Sequence, residues 1–204
     1  MCDTTLHIPQ LLDAARAGDA AARERILSRY QAWLRILAKI QLNGDFRGKF
    51  DASDIAQQTL LEACRDLEQF RGGTESEFLA WLRQILAHVL SHEIRRYRGT
   101  RQREIGREVS VEQSLAQSSQ RLGNMLAVSA SSPSQQAMRH EQEIMLAEVL
   151  ARLPDDYRDV LILRNLEGLS HEEVAERMGR GVGAVRTLWV RALARLRKEA
   201  SRIE

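Results

Sequence analysis

Apolar residues along this chain recur mostly at intervals of three and four, the spacing that gathers them on one side of a helix. From Asp19 to Leu42 the repeat runs through Ile26, Leu27, Tyr30, Trp33, Leu34, Leu37 and Ile40. It predicts one long amphipathic helix, broken by Asn43-Gly44-Asp45. A second helix is predicted from about Ala52 to Phe70, with Ile55, Leu60, Leu61, Cys64 and Leu67 inward and Arg71-Gly72-Gly73 ending it. Thr74-Glu75-Ser76-Glu77 has the form of a capping box, in which a hydroxyl and a carboxylate satisfy the free amides of a helix start. It opens a third helix from about Glu75 to Arg98, with Phe78, Trp81, Leu82, Ile85, Leu86 and Val89 inward.

After Gly99 the pattern changes. Between Ser110 and Gln136, 13 of 27 residues are Ser or Gln, which leaves too few apolar positions for a core. Residues 99–132 therefore read as a flexible linker carrying a short helix around Val111–Leu122. Periodicity resumes at Ser132-Pro133-Ser134-Gln135, an N-cap followed by Pro at the first helical position. It continues through Ile144, Leu146, Val149, Leu150 and Leu153. Pro154 resets the chain, and Tyr157, Val160, Leu161 and Leu163 predict another helix ending near Gly168. Ser170-His171-Glu172-Glu173 is a second capping box. Pro9, Pro133 and Pro154 all fall at the edges of helical patterns. The expected fold is all-α: a helical domain over residues 1–98, a linker over 99–132 and a second helical domain over 133–204.

Composition narrows the class. With 204 residues, 44% hydrophobic and 28% charged, the chain can build compact but modest cores. No apolar run approaches the roughly 18–20 residues that span a bilayer, and MCDTTLHIPQ lacks the basic and apolar regions of a secretory signal. Cys2 and Cys64 form neither a disulfide framework nor a CxxC site, and Cys64 reads as a small buried hydrophobe. A soluble cytoplasmic protein without membrane insertion or cofactor is the expectation. Of the 30 basic residues only three are Lys, so the positive charge is carried by the fork-shaped guanidinium suited to phosphates and base edges.

The stretch from Ser170 to Lys198 is the most specific. A helix-turn-helix needs a small residue where its helices cross, a turn residue tolerant of positive φ, and apolar residues where the second helix packs back. Ala175, Gly179, Val185 and Leu188 meet those needs at the right spacing. Trp189, Ala192 and Leu196 extend the buried face, with Trp189 read as core rather than as a stacking residue. Arg177–Arg202 carries a net charge of +7, whereas Glu141–Glu173 carries −6. Such a basic helix attracts phosphates, and its first turns meet base edges when it enters a major groove. Arg186 and Thr187 are the candidates for bases, Arg191 for either bases or backbone, and Arg195, Arg197 and Lys198 for phosphate. The first half repeats the split, with −5 over Asp51–Glu77 and +5 over Arg83–Arg107. Two kinds of partner are implied: a protein on one face and nucleic acid on another.

The segment Asp51-Ala52-Ser53-Asp54-Ile55-Ala56-Gln57-Gln58-Thr59-Leu60-Leu61 resembles the region 2.2 signature of bacterial RNA polymerase sigma factors. Phe70-Arg71-Gly72, Phe78-Leu79-Ala80-Trp81-Leu82 and Ile94-Arg95-Arg96 resemble the segments C-terminal to that signature in the extracytoplasmic-function (ECF) group. Leu153-Pro154, Tyr157-Arg158, Leu161, Leu163-Arg164 and Gly168-Leu169-Ser170 resemble that group's region 4 ahead of its helix-turn-helix. The Ser/Gln-rich linker, Ser-Pro-Ser-Gln and Leu-Trp-Val-Arg-Ala are similar to factors of planctomycete-like bacteria.

The resemblance implies a transcription initiation factor, not an enzyme, with core RNA polymerase and promoter DNA as partners. Asp51, Asp54, Gln57 and Gln58 would dock on the clamp helices of the β′ subunit. Arg71, Thr74 and His88 would handle the −10 element, with Arg95, Arg96 and Arg98 near its backbone. Melting there holds an unstacked base in a pocket, at a cost of a few kcal/mol. The linker would thread the polymerase channels, and the second domain would read the −35 element through Arg186, Thr187, Arg191 and Arg195 while resting on the β flap. An anti-sigma factor is a further expected partner. The chain departs from the group's pattern at His88, where Asn is usual, at Gly181, where Ser or Thr often caps the recognition helix, and at Leu188, where a polar residue is common.

Two rival readings account for less of the chain. His88 and His92 stand four apart with Glu93 adjacent, the spacing by which two histidines share a metal on one helical face. No HExxH motif accompanies them and spacing offers no third ligand, so solvent, DNA or the core is their expected environment. A stand-alone helix-turn-helix regulator binding an operator as a dimer would account for residues 133–204. It would leave the acidic and basic helices of the first half without a role.

Overall fold

The computed structural model describes residues 8–42, 46, 48–98, 105–125 and 133–202. Among these every regular element is helical, and the chain divides into two compact units, Met1–Ala116 and Gln117–Glu204.

The first unit is built around α2 (Ala20–Leu42), against which α1 (Ile8–Arg16), α3 (Ala52–Asp66) and α4 (Glu75–Arg98) all pack. α1 is a nine-residue helix that is not among the elements predicted above, although Ile8, Leu11, Leu12 and Ala15 stand at helical spacing, and it buries Ile8, Leu12 and Ala15. Every apolar position predicted for α2 is buried, and Ile36 and Ala38 join them because this helix has neighbours on more than one side. At its centre Tyr30 stands edge-on to Trp33 and Phe78, with ring centroids 6.3 and 5.3 Å away. The Tyr30 hydroxyl donates to Glu75 Oε1 at 2.8 Å, which satisfies the polar end of a side chain otherwise in the core. Burial first, and then the Glu75 carboxylate, push the phenol above its ordinary pKa. The break expected at Asn43-Gly44-Asp45 lies outside the described residues.

α3 starts at Asp51, whose Oδ1 accepts from the Ser53 N–H at 2.7 Å, a side-chain cap on an otherwise free amide. It ends at Asp66 and continues as a 3-10 turn, Leu67–Gln69. The predicted inner face is wrong for three of five residues. Leu61 is 57% exposed, and Leu60 and Cys64 are half-buried, whereas Ile55, Ala56, Thr59, Ala63 and Leu67 form the buried side. Small side chains at Ala56, Thr59 and Ala63 let α3 lie close to its neighbours, and the bulkier leucines turn outward. The buried Thr59 hydroxyl is spent on the Ile55 carbonyl at 2.8 Å. In α4 the buried residues are Phe78, Leu79, Leu82, Leu86, Ala87, Val89 and Leu90, while Trp81 and Ile85 are half-buried rather than fully inward.

The polar stretch holds a longer helix than its composition predicts: α5 spans Ile105–Asn124. Leu115 and Leu122 are buried, and so are Ser118 and Ser119. Ser114 Oγ accepts from Gln41 Nε2 at 2.9 Å in the first unit. In the second, the Ser119 hydroxyl donates to the buried carboxylate of Glu143, and Arg121 Nη1 donates to the Leu166 carbonyl at 2.9 Å. These tertiary partners are what allow serines to stand on a buried face.

The second unit continues with α6 (Pro133–Arg152), α7 (Asp155–Leu161), a π-turn (Ile162–Leu166), α8 (His171–Met178) and α9 (Val182–Ala200). Ile144, Leu146, Ala147, Val149 and Leu150 from α6, with Leu153 just beyond its end, are buried together with Val160–Leu163, Leu166, Val174, Val185, Ala192 and Leu196. The Ser132 cap expected for α6 lies outside the described residues. In the π-turn the Glu167 N–H reaches the Ile162 carbonyl five residues back at 2.9 Å. No helix among the described residues is long and apolar enough to cross a membrane.

Candidate functional site

The helix-turn-helix forms as its spacing predicts. Ser170 Oγ accepts from the Glu173 N–H at 3.2 Å while Glu173 Oε2 accepts from the Ser170 N–H at 2.7 Å, so both halves of the capping box are made. Those hydrogen bonds hold the Glu173 carboxyl below its ordinary pKa. Ala175 is buried at the crossing, and Gly179 closes α8 with φ of 63°, a left-handed conformation that disfavours any residue with a Cβ. The Arg180 N–H then returns to the Ala175 carbonyl at 3.0 Å.

α9 packs back through Val185, Ala192 and Leu196, all buried, whereas Leu188 is only half-buried. Trp189 is also half-buried. Its indole N–H donates to Asn165 Oδ1 at 3.0 Å, and its ring meets His171 edge-on at 5.4 Å. The indole is therefore committed to the π-turn and α8, and it fixes the rotation of α9 about its axis.

That rotation puts Arg186, Thr187, Val190, Arg191, Ala194 and Arg195 on one exposed side. Val190 is 59% exposed, an apolar side chain between guanidinium groups that is absent from the residues singled out by sequence. Its position three residues after Thr187 and four after Arg186 was the available signal. Arg186 Nη2 lies 3.3 Å from Glu172 Oε1, with both side chains 63% exposed. Exposed pairs of this kind contribute about 0–1 kcal/mol, so Arg186 is released at little cost. Arg195 pairs with Glu199 at 2.8 Å. Gly181, at the N-cap, provides no side-chain hydrogen bond.

A second face lies on α3. Asp54, Gln57, Gln58 and Leu61 follow one another at helical spacing, and all are exposed. Gln58 Nε2 donates to Glu62 Oε1 at 3.1 Å. Asp51 sits at the head of the stripe, with Oδ1 engaged in the cap. Leu61, predicted for the core, is the apolar centre of this otherwise polar surface.

The third face joins the loop before α4 to the exposed side of that helix. His88, His92, Arg95 and Arg96 are all exposed there. Arg96 Nη1 lies 3.6 Å and His92 Nδ1 3.5 Å from Glu93 Oε1. No group of three or more His, Cys, Asp or Glu side chains among the described residues could hold a metal ion. The side chain of Arg98 lies outside the described residues. Arg71 is exposed, with Nη1 donating to the Glu68 carbonyl at 2.8 Å. Thr74 completes the predicted capping box: Oγ1 accepts from the Glu77 N–H at 3.2 Å and donates to Glu77 Oε2 at 2.9 Å. Amide hydrogen bonds from Gly73 and then the bonds from Thr74 hold the Glu77 carboxyl below its ordinary pKa.

Residues 26–100 match the family model for sigma-70 region 2, and residues 143–196 match that for sigma-70 region 4. The chain is 30% identical over 184 residues to the ECF RNA polymerase sigma-E factor of Haemophilus influenzae, covering 89% of each chain. It is 31% identical over 185 residues to the RNA polymerase sigma-H factor of Pseudomonas aeruginosa, covering 90% of this chain and 88% of the relative. Among solved structures it is similar to that of CnrH in complex with the cytosolic domain of CnrY. That match has 20% identity and a TM-score of 0.33, and covers 93% of this chain and 94% of the other.

Proposed function

The chain belongs to the ECF type of the sigma-70 family of RNA polymerase factors, and from that premise we propose how its surfaces divide the work. As a member of that family it directs RNA polymerase to promoters and is not itself an enzyme. Core RNA polymerase and promoter DNA are its partners. The match at residues 26–100 removes the reading as a stand-alone operator-binding regulator, which had no role for the first half of the chain.

The acidic stripe Asp51, Asp54, Gln57 and Gln58 docks on the β′ clamp helices, and Leu61 is its apolar contact. Arg71, Thr74 and His88 handle the −10 element, with Arg95, Arg96 and Arg98 along its backbone. Arg186, Thr187, Arg191 and Arg195 address the −35 element as their unit rests on the β flap. Residues 1–98 and 133–204 are the two working domains, and 99–132 threads the polymerase channels. A cytoplasmic location goes with these partners. An anti-sigma factor covering either basic face would silence the chain. The likeness to factors of planctomycete-like bacteria rests on sequence features alone, and the two bacterial relatives above come from other groups.

One observation carries the −35 assignment: α9 is rotated so that four of its basic and hydroxyl side chains share one exposed side, with Trp189 locking that rotation. Core polymerase reconstituted with the full chain gives run-off transcripts from a cognate promoter. Arg186→Ala lowers that output on the order of tenfold, the effect of one lost base contact, and leaves core binding intact. An unchanged promoter profile in this variant, or an equal loss of core binding, would sink the assignment.

A further inference from the structure

The loop between the 3-10 turn and α4 is held from two sides. On the α4 side, Glu77 Oε2 accepts from the Gly73 N–H at 2.9 Å, the Thr74 N–H at 3.0 Å and the Thr74 hydroxyl at 2.9 Å. On the opposite side stands Arg16, the last residue of α1. Its Nη2 donates to the Gly72 carbonyl, 56 residues further along the chain. Its Nη1 lies 3.3 Å from Asp13, and its guanidinium carbon is 5.0 Å from the centroid of the Phe70 ring.

The space around Gly72 explains why this contact matters. A Cβ at Gly72 would lie 2.4 Å from the Phe70 ring and 2.9 Å from Glu77 Cβ. The ring has no room to yield, because Trp81 and Phe78 stand at centroid distances of 5.0 and 5.4 Å and Arg16 faces it as well. Gly72 is thus wedged between an aromatic wall and a helix cap, with its carbonyl aimed at α1. Arg71, the exposed basic residue of the loop, is the next residue back.

We infer that Arg16 is a positioning residue for the −10 contact, an inference that rests on the reading of this loop as a DNA contact. By fixing the Gly72 carbonyl, Arg16 sets the direction in which Arg71 leaves the loop. Only a planar fork serves all three neighbours at once: one nitrogen to Asp13, another to the carbonyl, and the flat face toward the ring. Lysine can supply a donor to the carbonyl but not the other two contacts together. Arg16 lies on a different element from the α3 stripe, and its contacts are to Asp13, Phe70 and Gly72, none of them in that stripe.

The test uses the full chain in holoenzyme, with run-off transcription from a panel of promoters carrying single −10 substitutions, alongside core-binding titrations. Arg16→Gln is expected to cut discrimination between the preferred and substituted −10 elements on the order of tenfold, the effect of one lost charge-assisted hydrogen bond. Core affinity should stay unchanged, and Arg16→Lys should recover part of the discrimination. Gly72→Ala, which disturbs the same loop from within, should reproduce the selective loss. Core binding and discrimination falling together in both Arg16→Gln and Gly72→Ala would reduce Arg16 to a fold-stabilising role and overturn the inference. Arg71→Ala separates the two levels. If it leaves the −10 profile unchanged, the reading of the loop fails. If it changes the profile while Arg16→Gln does not, the inference alone fails.

Discussion

Glu77 gathers three donors on one exposed carboxylate, and that arrangement responds to pH. Its pKa in the folded chain lies below the ordinary carboxylate value, so the cap contributes stability above that ordinary value. The contribution disappears as pH falls through the lower folded value. Melting temperature of the full chain, measured from about pH 5 to about pH 3, should therefore decline less steeply in Glu77→Gln than in the parent. Glu173 has the same shift from the equivalent cap, and Glu77→Gln/Glu173→Gln should flatten the profile further. A profile unaltered by either change would show that the caps do not govern acid sensitivity. Both boxes were legible in the sequence because each is closed within four residues. The Arg16–Gly72 contact was not, since nothing local ties residues so far apart.

At the scale of the element, the question is which side of a helix faces inward. For α2 the spacing of large apolar residues gave the buried side, because large residues are what that helix buries; in α9 it gave Val185, Ala192 and Leu196, while the larger Leu188 and Trp189 are only half-buried. α3 breaks the rule: its contact side is Ala56, Thr59 and Ala63, and reading only the bulky positions rotated the helix toward Leu60, Leu61 and Cys64. α5 breaks it differently. Its buried serines look like linker chemistry until Glu143 is seen to accept from Ser119. The corrected rotation of α3 makes Leu61 a surface residue, and its substitution tests the proposed docking face. Leu61→Ala removes an apolar contact of about 1.5–3 kcal/mol if that side chain becomes fully buried on docking. Core binding should weaken roughly tenfold or more, while the thermal stability of the free chain stays near the parent's. A melting temperature that drops sharply would return Leu61 to the core.

Across the whole molecule the formal charge of +2 conceals alternating segments of −5, +5, −6 and +7. The structure turns this alternation into separate faces, since the acidic stripe of α3 and the basic sides of α4 and α9 belong to different helices. Affinity of the holoenzyme for promoter DNA should therefore fall as a power of salt concentration. Arg195→Ala, removing one guanidinium proposed to meet phosphate, should reduce the logarithmic salt slope by about 1 across promoter sequences. A slope unaltered by that change would remove Arg195 from the backbone contacts. The apolar content of these faces carries a further consequence. Leu61 stands 57% exposed with Asp54, Gln57 and Gln58 on its own stripe, so this face of α3 meets water with one apolar side chain among hydrated groups. A lone apolar side chain among polar ones falls far short of the contiguous patches that drive aggregation.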